Sequence, residues 1–550
     1  MNKETLKLEI SGMTCDHCAT GIEKLLYKNE GIKDANVSYP KATCECSFDP
    51  SKTSKEEIVN TINETKNYKV KTIIENENKV SNGNHFDLII IGGGSAAFSA
   101  AIKAESLGLS TLMINGGLDF GGTCVNVGCV PSKNLIRAGE TAYHAKHSNF
   151  SGIKPKGVDI NFAQVIKDKK KLVATLQEKK YMDVVSDFKY LTMLKGWATF
   201  IDNKTIIVDG KNKYTAIKFI IATGAATSIP NIEGMADITY LTNISLFNLE
   251  QQQKSLIVLG GGYIALEIAQ AYQRLGTKVT LLQRSKQVLS HLTADVSEEL
   301  IKQLRLEGME VHTGLHFQKV FEENGSTKVT VSKNGTEQIF EAEKLVVATG
   351  TKPNTSQLGL ENIGLELNKK GHIVVNEKME TNLSNIYAVG DATNTPAFVY
   401  TAALEGKIAV ENAFSGTENK ADYSSLPWVV FTDPQVAGAG LDEVQAAAQN
   451  IPFEVSKLDL ENVPRALAAQ DTRGFIKLIR NTETDKLIGA RIVAPEGGEL
   501  IQQLSMAIKY GITVKDLAES FYPYLTLGEG IKLAAITFGK DVSKLSCCAS

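Results

Sequence analysis

The stretch FDLIIIGGGSAAFSAA, residues 86–101, holds an apolar strand (Phe86 to Ile91), a glycine turn (Gly92, Gly93, Gly94) and the start of a helix that reads through Ala104. In such a unit Gly92 makes the tight turn, Gly94 lets a pyrophosphate approach the backbone, and Ala97 keeps the helix against the sheet. A glycine motif alone is weak; with a strand before it and a helix after it, the motif reads as a dinucleotide-binding unit. The next strand, Ser110 to Ile114, ends at Asn115, where an acid normally receives ribose hydroxyls. An amide there can still hydrogen-bond, without the charge-assisted component. The pattern returns at Leu256 to Leu259, with Gly260, Gly261, Gly262 and Ala265 in the turn and helix start. Two such units in one chain are far more specific than one. The strand Lys278 to Leu282 ends at Gln283 and Arg284; a cation there suits a 2'-phosphate, which points to NADPH. Lys286 is as readily an ordinary solvated lysine.

Downstream of the first turn runs GGTCVNVGCVPSK, Gly121 to Lys133. Cys124 and Cys129 can close a disulfide if the chain coils between them, because the Cα atoms must come within about 7 Å. Gly121 and Gly122 would let the chain pass close to a cofactor, and a helix starting here would hold one sulfur as thiolate, with Lys133 adding positive charge. Two buried free cysteines or half a metal site are the alternatives, and the neighbourhood favours a redox pair.

The motif C-x-x-x-x-C-x-x-S-K, matched by Cys124, Cys129, Ser132 and Lys133, resembles that of the pyridine nucleotide-disulfide oxidoreductase family. The resemblance implies FAD and NADPH as cofactors. It makes Cys129 the sulfur beside the flavin that forms the charge-transfer complex, and Cys124 the sulfur that meets substrate. It places FAD against Gly92, Gly94, Ala97, Asn115, Gly122, Thr123, Lys133, Gly224 of the A-T-G turn and Asp391 of AVGDAT, and NADPH against Gly260, Gly262, Ala265 and Arg284. Glu267 matches the family glutamate that pairs with Lys133, a plain surface glutamate being the alternative. Asp391 lies so far along the chain that the FAD domain should be interrupted by the NADPH domain.

With 550 residues the chain should form several domains. A formal charge of -3 leaves no basic stripe for nucleic acid. Apolar runs are too short and too broken by glycine for membrane insertion, and the N-terminus has no secretory apolar run; a cytoplasmic location is expected. Eight cysteines fall in pairs at 15/18, 44/46, 124/129 and 547/548, which in a reducing compartment suggests catalysis or soft-metal binding.

The N-terminal region places Gly12-Met13-Thr14-Cys15-Asp16-His17-Cys18 between a strand from Leu6 and a helix expected after Cys18. Further strands are expected at Ala35 to Tyr39 and Ala42 to Phe48, with a helix from Ser54 to Glu64. Two neighbouring thiolates, Cys15 and Cys18, suit a two-coordinate soft cation. The segment resembles the ferredoxin-like heavy-metal-associated domain. His17 reads as a loop residue, and Cys44 and Cys46 share one strand face, reading as buried structural residues with an extra thiolate pair as the alternative. Residues 71–84 read as a flexible linker that would keep captured metal near the main body.

At the other end, Phe521 to Glu529 matches the interface-domain stretch where reductases of organic disulfides carry His-Pro and Glu. Here Tyr524 stands for the histidine and Glu529 is kept. A phenol of pKa ~10 is a poor general base at neutral pH, so an organic disulfide is a poor substrate. With Cys547 and Cys548 at the tail, the whole chain resembles the mercuric reductase branch of the family, in which a tyrosine matching Tyr181 reaches the metal.

The resemblance implies a homodimer with active sites at the subunit interface. NADPH reduces FAD, which opens the Cys124–Cys129 disulfide. Hg(II), arriving as a thiol complex or from a mercury transporter, passes from Cys547 and Cys548 of the partner subunit to Cys124 and Cys129, near Tyr181 and Tyr524 of the partner subunit, and leaves as Hg(0). A flavin-dependent reductase of another disulfide, or a soft-metal binding protein without turnover, are the other readings.

The fold class expected is α/β multidomain. It comprises two Rossmann-like dinucleotide-binding domains, an α+β C-terminal dimerisation domain and a small ferredoxin-like α+β N-terminal domain. The spans are 1–70 (metal-associated), 71–84 (linker), 85–230 (FAD, first part), 231–350 (NADPH), 351–425 (FAD, second part) and 426–550 (dimerisation, with the tail cysteines).

Overall fold

The computed structural model describes residues 4–13, 16–39, 42–65, 67–74, 83–541 and 544. Cys15, Cys547 and Cys548 lie outside the described residues. The chain divides into two compact units, Met1–His85 and Phe86–Ser550.

The first unit is a four-stranded antiparallel sheet in the order Ile32–Ser38, Thr43–Phe48, Glu4–Ser11, Lys69–Ile74, with helices Asp16–Leu26 and Lys55–Asn63. Period-two alternation sends Leu6, Leu8, Ile10, Cys44, Cys46 and Phe48 inward, where they meet Ile22, Leu26, Ile58 and Ile62 of the helices. A capping box between Ser54 and Glu57 starts the second helix. Two expectations change. The first helix begins at Asp16, so Cys18 lies in its first turn rather than ahead of it; nothing in Asp16 to Cys18 breaks a helix. Residues 71–74, expected within a linker, instead belong to the fourth strand, Lys69–Ile74, hydrogen-bonded to Glu4–Ser11 along the sheet edge. Its lysines hide a strand pattern that only pairing reveals.

The second unit starts within the strand His85–Ile91, which is flanked by Thr111–Asn115 and then Leu191–Lys195 on one side and by Asn212–Ile221 on the other. Asn212–Ile221 also pairs, in parallel, with Ile386–Ala388, so the sheet is completed by residues from far along the chain. Leu88 and Ile90 pack on one face and Ile89 and Ile91 on the other, the double burial of a parallel sheet covered on both sides. Helix Ser95–Ser106 crosses helix Val399–Phe414 so tightly that a Cβ on Gly406 would sit 2.2 Å from the Ala96 carbonyl oxygen.

Between these parts the chain makes a second parallel sheet, Glu310–His312, Lys278–Leu282, Ser255–Leu259, Lys344–Val347, with helix Tyr263–Arg274 following its glycine turn. A three-stranded antiparallel sheet, His316–Glu323, Ser326–Lys333 and Thr336–Ala342, is added to it. The chain enters and leaves this insertion through Ala225–Thr227 paired with Thr351–Pro353. The C-terminal part is a five-stranded antiparallel sheet, Trp428–Val430, Gln435–Gly440, Leu487–Ala494, Phe475–Asn481, Phe453–Asp459, packed against helices Gly497–Lys509 and Leu527–Ile536. Among the described residues no helix is long and apolar enough to cross a membrane.

Candidate active site

The redox segment is docked on the first glycine turn by two residues that only glycine can supply. Gly121 (φ 101°) donates its N–H to the Gly93 carbonyl at 2.7 Å, and a Cβ on Gly122 (φ 64°) would come 2.5 Å from the Gly94 Cα. Helix Gly122–Val127 follows, the chain breaks at Gly128, and Cys129 opens the long helix Cys129–His144. The break brings the two sulfurs together: Cys124 and Cys129 are free thiols that hydrogen-bond each other.

The two thiols are not equivalent. Cys129 is lowered to about 7, first by the hydrogen bond from Cys124, against the opposing effect of burial and with help from the Lys133 charge. Cys124 is pushed up, because it gives its hydrogen to Cys129 and because it is buried. Near neutrality the pair therefore contains one accessible thiolate, the form that binds metal and attacks disulfides. A cysteine at the first position of a helix also gains from the dipole.

Helix Cys129–His144 packs on helix Tyr263–Arg274, and a Cβ on Gly139 would lie 3.0 Å from the Ala271 carbonyl oxygen. That contact brings Lys133 Nζ to 2.6 Å from Glu267 Oε2, with the Glu267 side chain only 7% exposed. The Phe431 N–H donates to the other Glu267 oxygen at 3.0 Å, and Lys133 lies over the Phe431 ring, 4.5 Å from its centroid. The ion pair joins the redox helix, the nicotinamide-type helix and the C-terminal part in one contact.

Tyr181 lies in a π-helical turn, Glu178–Met182, rather than in a regular helix. Its ring meets Phe98 edge-on at 4.9 Å and its hydroxyl is 3.2 Å from Ser95 Oγ. Burial raises its pKa, the Ser95 hydrogen bond opposes that, and both cysteines lie close enough to add to the rise. Sequence reading passed over Ser95, which sits inside the glycine motif as a spacer, and Tyr400, which has no local signal. Tyr400 donates to the Pro427 carbonyl, and burial, Tyr263 and Cys129 together push it up to about 12.

The residues present fit the two cofactors. Gly94 and Gly262 cap their helices with no side-chain hydrogen bond, leaving the first N–H groups of Ser95–Ser106 and Tyr263–Arg274 for an anion. A Cβ on Gly262 would meet nothing within 4 Å, and one on Gly94 only the Gly122 Cα, at 3.7 Å. Ala97 and Ala265 are fully buried behind the turns. Asn115 donates to the Leu118 carbonyl at 2.7 Å, so its side-chain oxygen is the atom left for a ribose hydroxyl. Thr123 is exposed in the short redox helix, and Gly224 takes φ 66° in the turn between the strands Asn212–Ile221 and Ala225–Thr227. Asp391, raised by burial, lines an open cavity of about 500 Å³ with His372, whose buried Nδ1 has no hydrogen-bond partner among the described residues. Arg284 is exposed beyond the strand Lys278–Leu282.

Tyr524 is 53% exposed on the loop before helix Leu527–Ile536, where the Glu529 carboxylate accepts the Leu525 N–H at 3.2 Å. Cys18 is half-buried in the first turn of helix Asp16–Leu26 of the first unit.

The sequence model of the pyridine nucleotide-disulphide oxidoreductase family matches residues 86–406, that of its dimerisation domain residues 426–535, and that of the heavy-metal-associated domain residues 7–69. The dimerisation match makes the protein a homodimer. The chain is 41% identical to the mercuric reductase of Staphylococcus aureus and 42% identical to that of Lysinibacillus sphaericus, each alignment covering 100% of both chains. Among solved structures it resembles the Cu(II) complex of the HOCl-induced flavoprotein disulfide reductase RclA from Escherichia coli, with a TM-score of 0.75 and 26% identity over 83% of this chain and 100% of that one. The chain therefore belongs to the mercuric reductases of the pyridine nucleotide-disulphide oxidoreductase family, with a heavy-metal-associated domain at its N-terminus.

Proposed function

We propose that the chain reduces Hg(II) to Hg(0) at Cys124 and Cys129, using NADPH. The observation that carries this reading is the hydrogen-bonded thiol pair with its lowered Cys129, docked on a dinucleotide turn beside the Tyr181 phenol. Gly92, Gly94, Asn115, Gly122, Thr123, Gly224 and Asp391 would hold FAD, which when bound would supply the two-electron link between NADPH and the thiol pair. The overall change balances as Hg(II) + NADPH giving Hg(0) + NADP+ + H+.

The chain's own groups prepare this. Cys129 offers a thiolate near neutrality, Cys124 loses its proton as Hg(II) replaces the thiol–thiol hydrogen bond, and Lys133 stabilises the thiolate charge. Two thiolates hold Hg(II) linearly and make it hard to reduce; the Tyr181 hydroxyl, fixed by Ser95, and Tyr524 of the partner subunit pull it away from linearity. Cys547 and Cys548 of the partner subunit pass Hg(II) inward by ligand exchange, so the active sites lie at the subunit interface. Cys15 and Cys18 capture Hg(II) from small-thiol complexes or a mercury transporter. The cytoplasm, where NADPH and thiols are at hand, is the compartment this chemistry suits.

The test is anaerobic NADPH oxidation by the flavin-loaded protein, with and without Hg(II) in excess small thiol, while volatile Hg(0) is trapped. One Hg(0) per NADPH is expected; NADPH consumption without vapour would exclude mercury as the acceptor.

Coenzyme choice makes a separate prediction. A charge-assisted hydrogen bond contributes ~1.5–3 kcal/mol, so Arg284→Glu should raise the KM for NADPH about 10- to 100-fold while favouring NADH. Steady-state kinetics with both coenzymes check it; an unchanged NADPH/NADH preference would remove Arg284 from the 2'-phosphate site.

A further inference from the structure

Reduction at Cys124 and Cys129 leaves two cysteines of the first unit without a role. Cys44 and Cys46 stand two residues apart on Thr43–Phe48, so their side chains share one face. That face is the core: Cys44 is 0% and Cys46 1% exposed, and the thiols hydrogen-bond each other. Their cross-strand neighbours are Leu8 and Leu6 on one side and Val37 and Ala35 on the other, all buried. We propose that this dithiol is a further, internal Hg(II) site in which the two sulfurs are the only ligands.

Charge and coordination number select the ion. A divalent cation between two thiolates is neutral overall, so it escapes the large penalty for burying net charge. A monovalent soft cation such as Cu(I) leaves one net negative charge in an apolar core. Zn(II) gives a neutral pair too, but it takes four ligands, and Leu6, Leu8, Ala35 and Val37 offer none. A soft, divalent, two-coordinate ion is what fits.

Loading is ligand exchange without redox change. Hg(II) arriving on two small thiolates exchanges both Hg–S bonds for bonds to Cys44 and Cys46, and the two thiol protons leave on the displaced thiolates. Thr43–Phe48 is an interior strand, between Ile32–Ser38 and Glu4–Ser11, so exchange waits on local opening of the sheet. The site is therefore a slow store, distinct from the turnover site.

The test uses the full-length chain with Cys15, Cys18, Cys124, Cys129, Cys547 and Cys548 all changed to serine, incubated with Hg(II)-bis-glutathione and desalted. Expected are one Hg(II) retained per chain, the ultraviolet charge-transfer absorption of a linear bis-thiolate, and slower amide hydrogen exchange across residues 43–48. Adding Cys44→Ala should cut retained Hg(II) at least tenfold. Retention below about a tenth of an equivalent, or undiminished by Cys44→Ala, overturns the proposal. So does faster exchange across 43–48 on loading, which means capture by the unfolded strand; this readout decides alone if Cys44→Ala fails to fold.

Discussion

Cys129→Ser should lower Hg(II)-dependent NADPH oxidation by about a thousandfold or more, since the thiolate is the metal ligand and a serine hydroxyl stays protonated at any working pH. The companion change separates the two sulfurs. Cys124→Ala removes the hydrogen bond that is the first cause of the low Cys129 value, so the Cys129 thiol should titrate well above its present value of about 7. In the parent protein, capture of Hg(II) at this pair rises with pH as Cys129 passes from thiol to thiolate near 7 and levels off above it. Thiolate absorbance against pH in the reduced protein, with and without Cys124→Ala, measures the shift. A Cys129→Ser protein within tenfold of the parent, or a Cys129 titration that ignores Cys124, would remove the pair from the chemistry.

The parts of this site that could be read from sequence are those written in local motifs. Strand, glycine turn and helix follow one another at residues 86–101 and again from Leu256, because a turn that admits a pyrophosphate needs glycine at fixed places. The contact of Lys133 with Glu267 needed the family resemblance, since the two helices that make it are far apart in sequence. Ser95 and Tyr400 were invisible for the same reason: what they touch is decided by the crossing of distant elements, and neither residue type is rare in a helix. The fourth strand of the first unit was hidden by composition, as KVKTII reads as the edge of a charged linker until Glu4–Ser11 pairs with it. The sheet from His316 to Ala342 gave no signal beyond ordinary alternation.

Lys133→Met and Glu267→Gln should move the same pH profile in opposite directions. The Lys133 charge lowers Cys129 and the Glu267 charge raises it, so losing the lysine shifts the thiolate titration to higher pH and losing the carboxylate shifts it to lower pH. An opposite charge within reach of a titrating group moves it by about 1–3 pKa units, and the partial exposure of Lys133 puts this case near the lower end. The stability costs differ as well. Lys133→Met strands a carboxylate that is 7% exposed with only the Phe431 N–H to satisfy it, a loss of roughly 2–3 kcal/mol, below the full range for a broken buried pair. Glu267→Gln keeps an acceptor for the Phe431 N–H and leaves an ammonium that is 34% exposed and able to reach water, a loss of about 1 kcal/mol. The double variant should be more stable than Lys133→Met alone, because the stranded charge is gone. Denaturant unfolding of the three proteins gives the order, and the thiolate titration gives the sign. Shifts in the same direction would mean that the pair acts on Cys129 through helix position, with its charges playing no direct part.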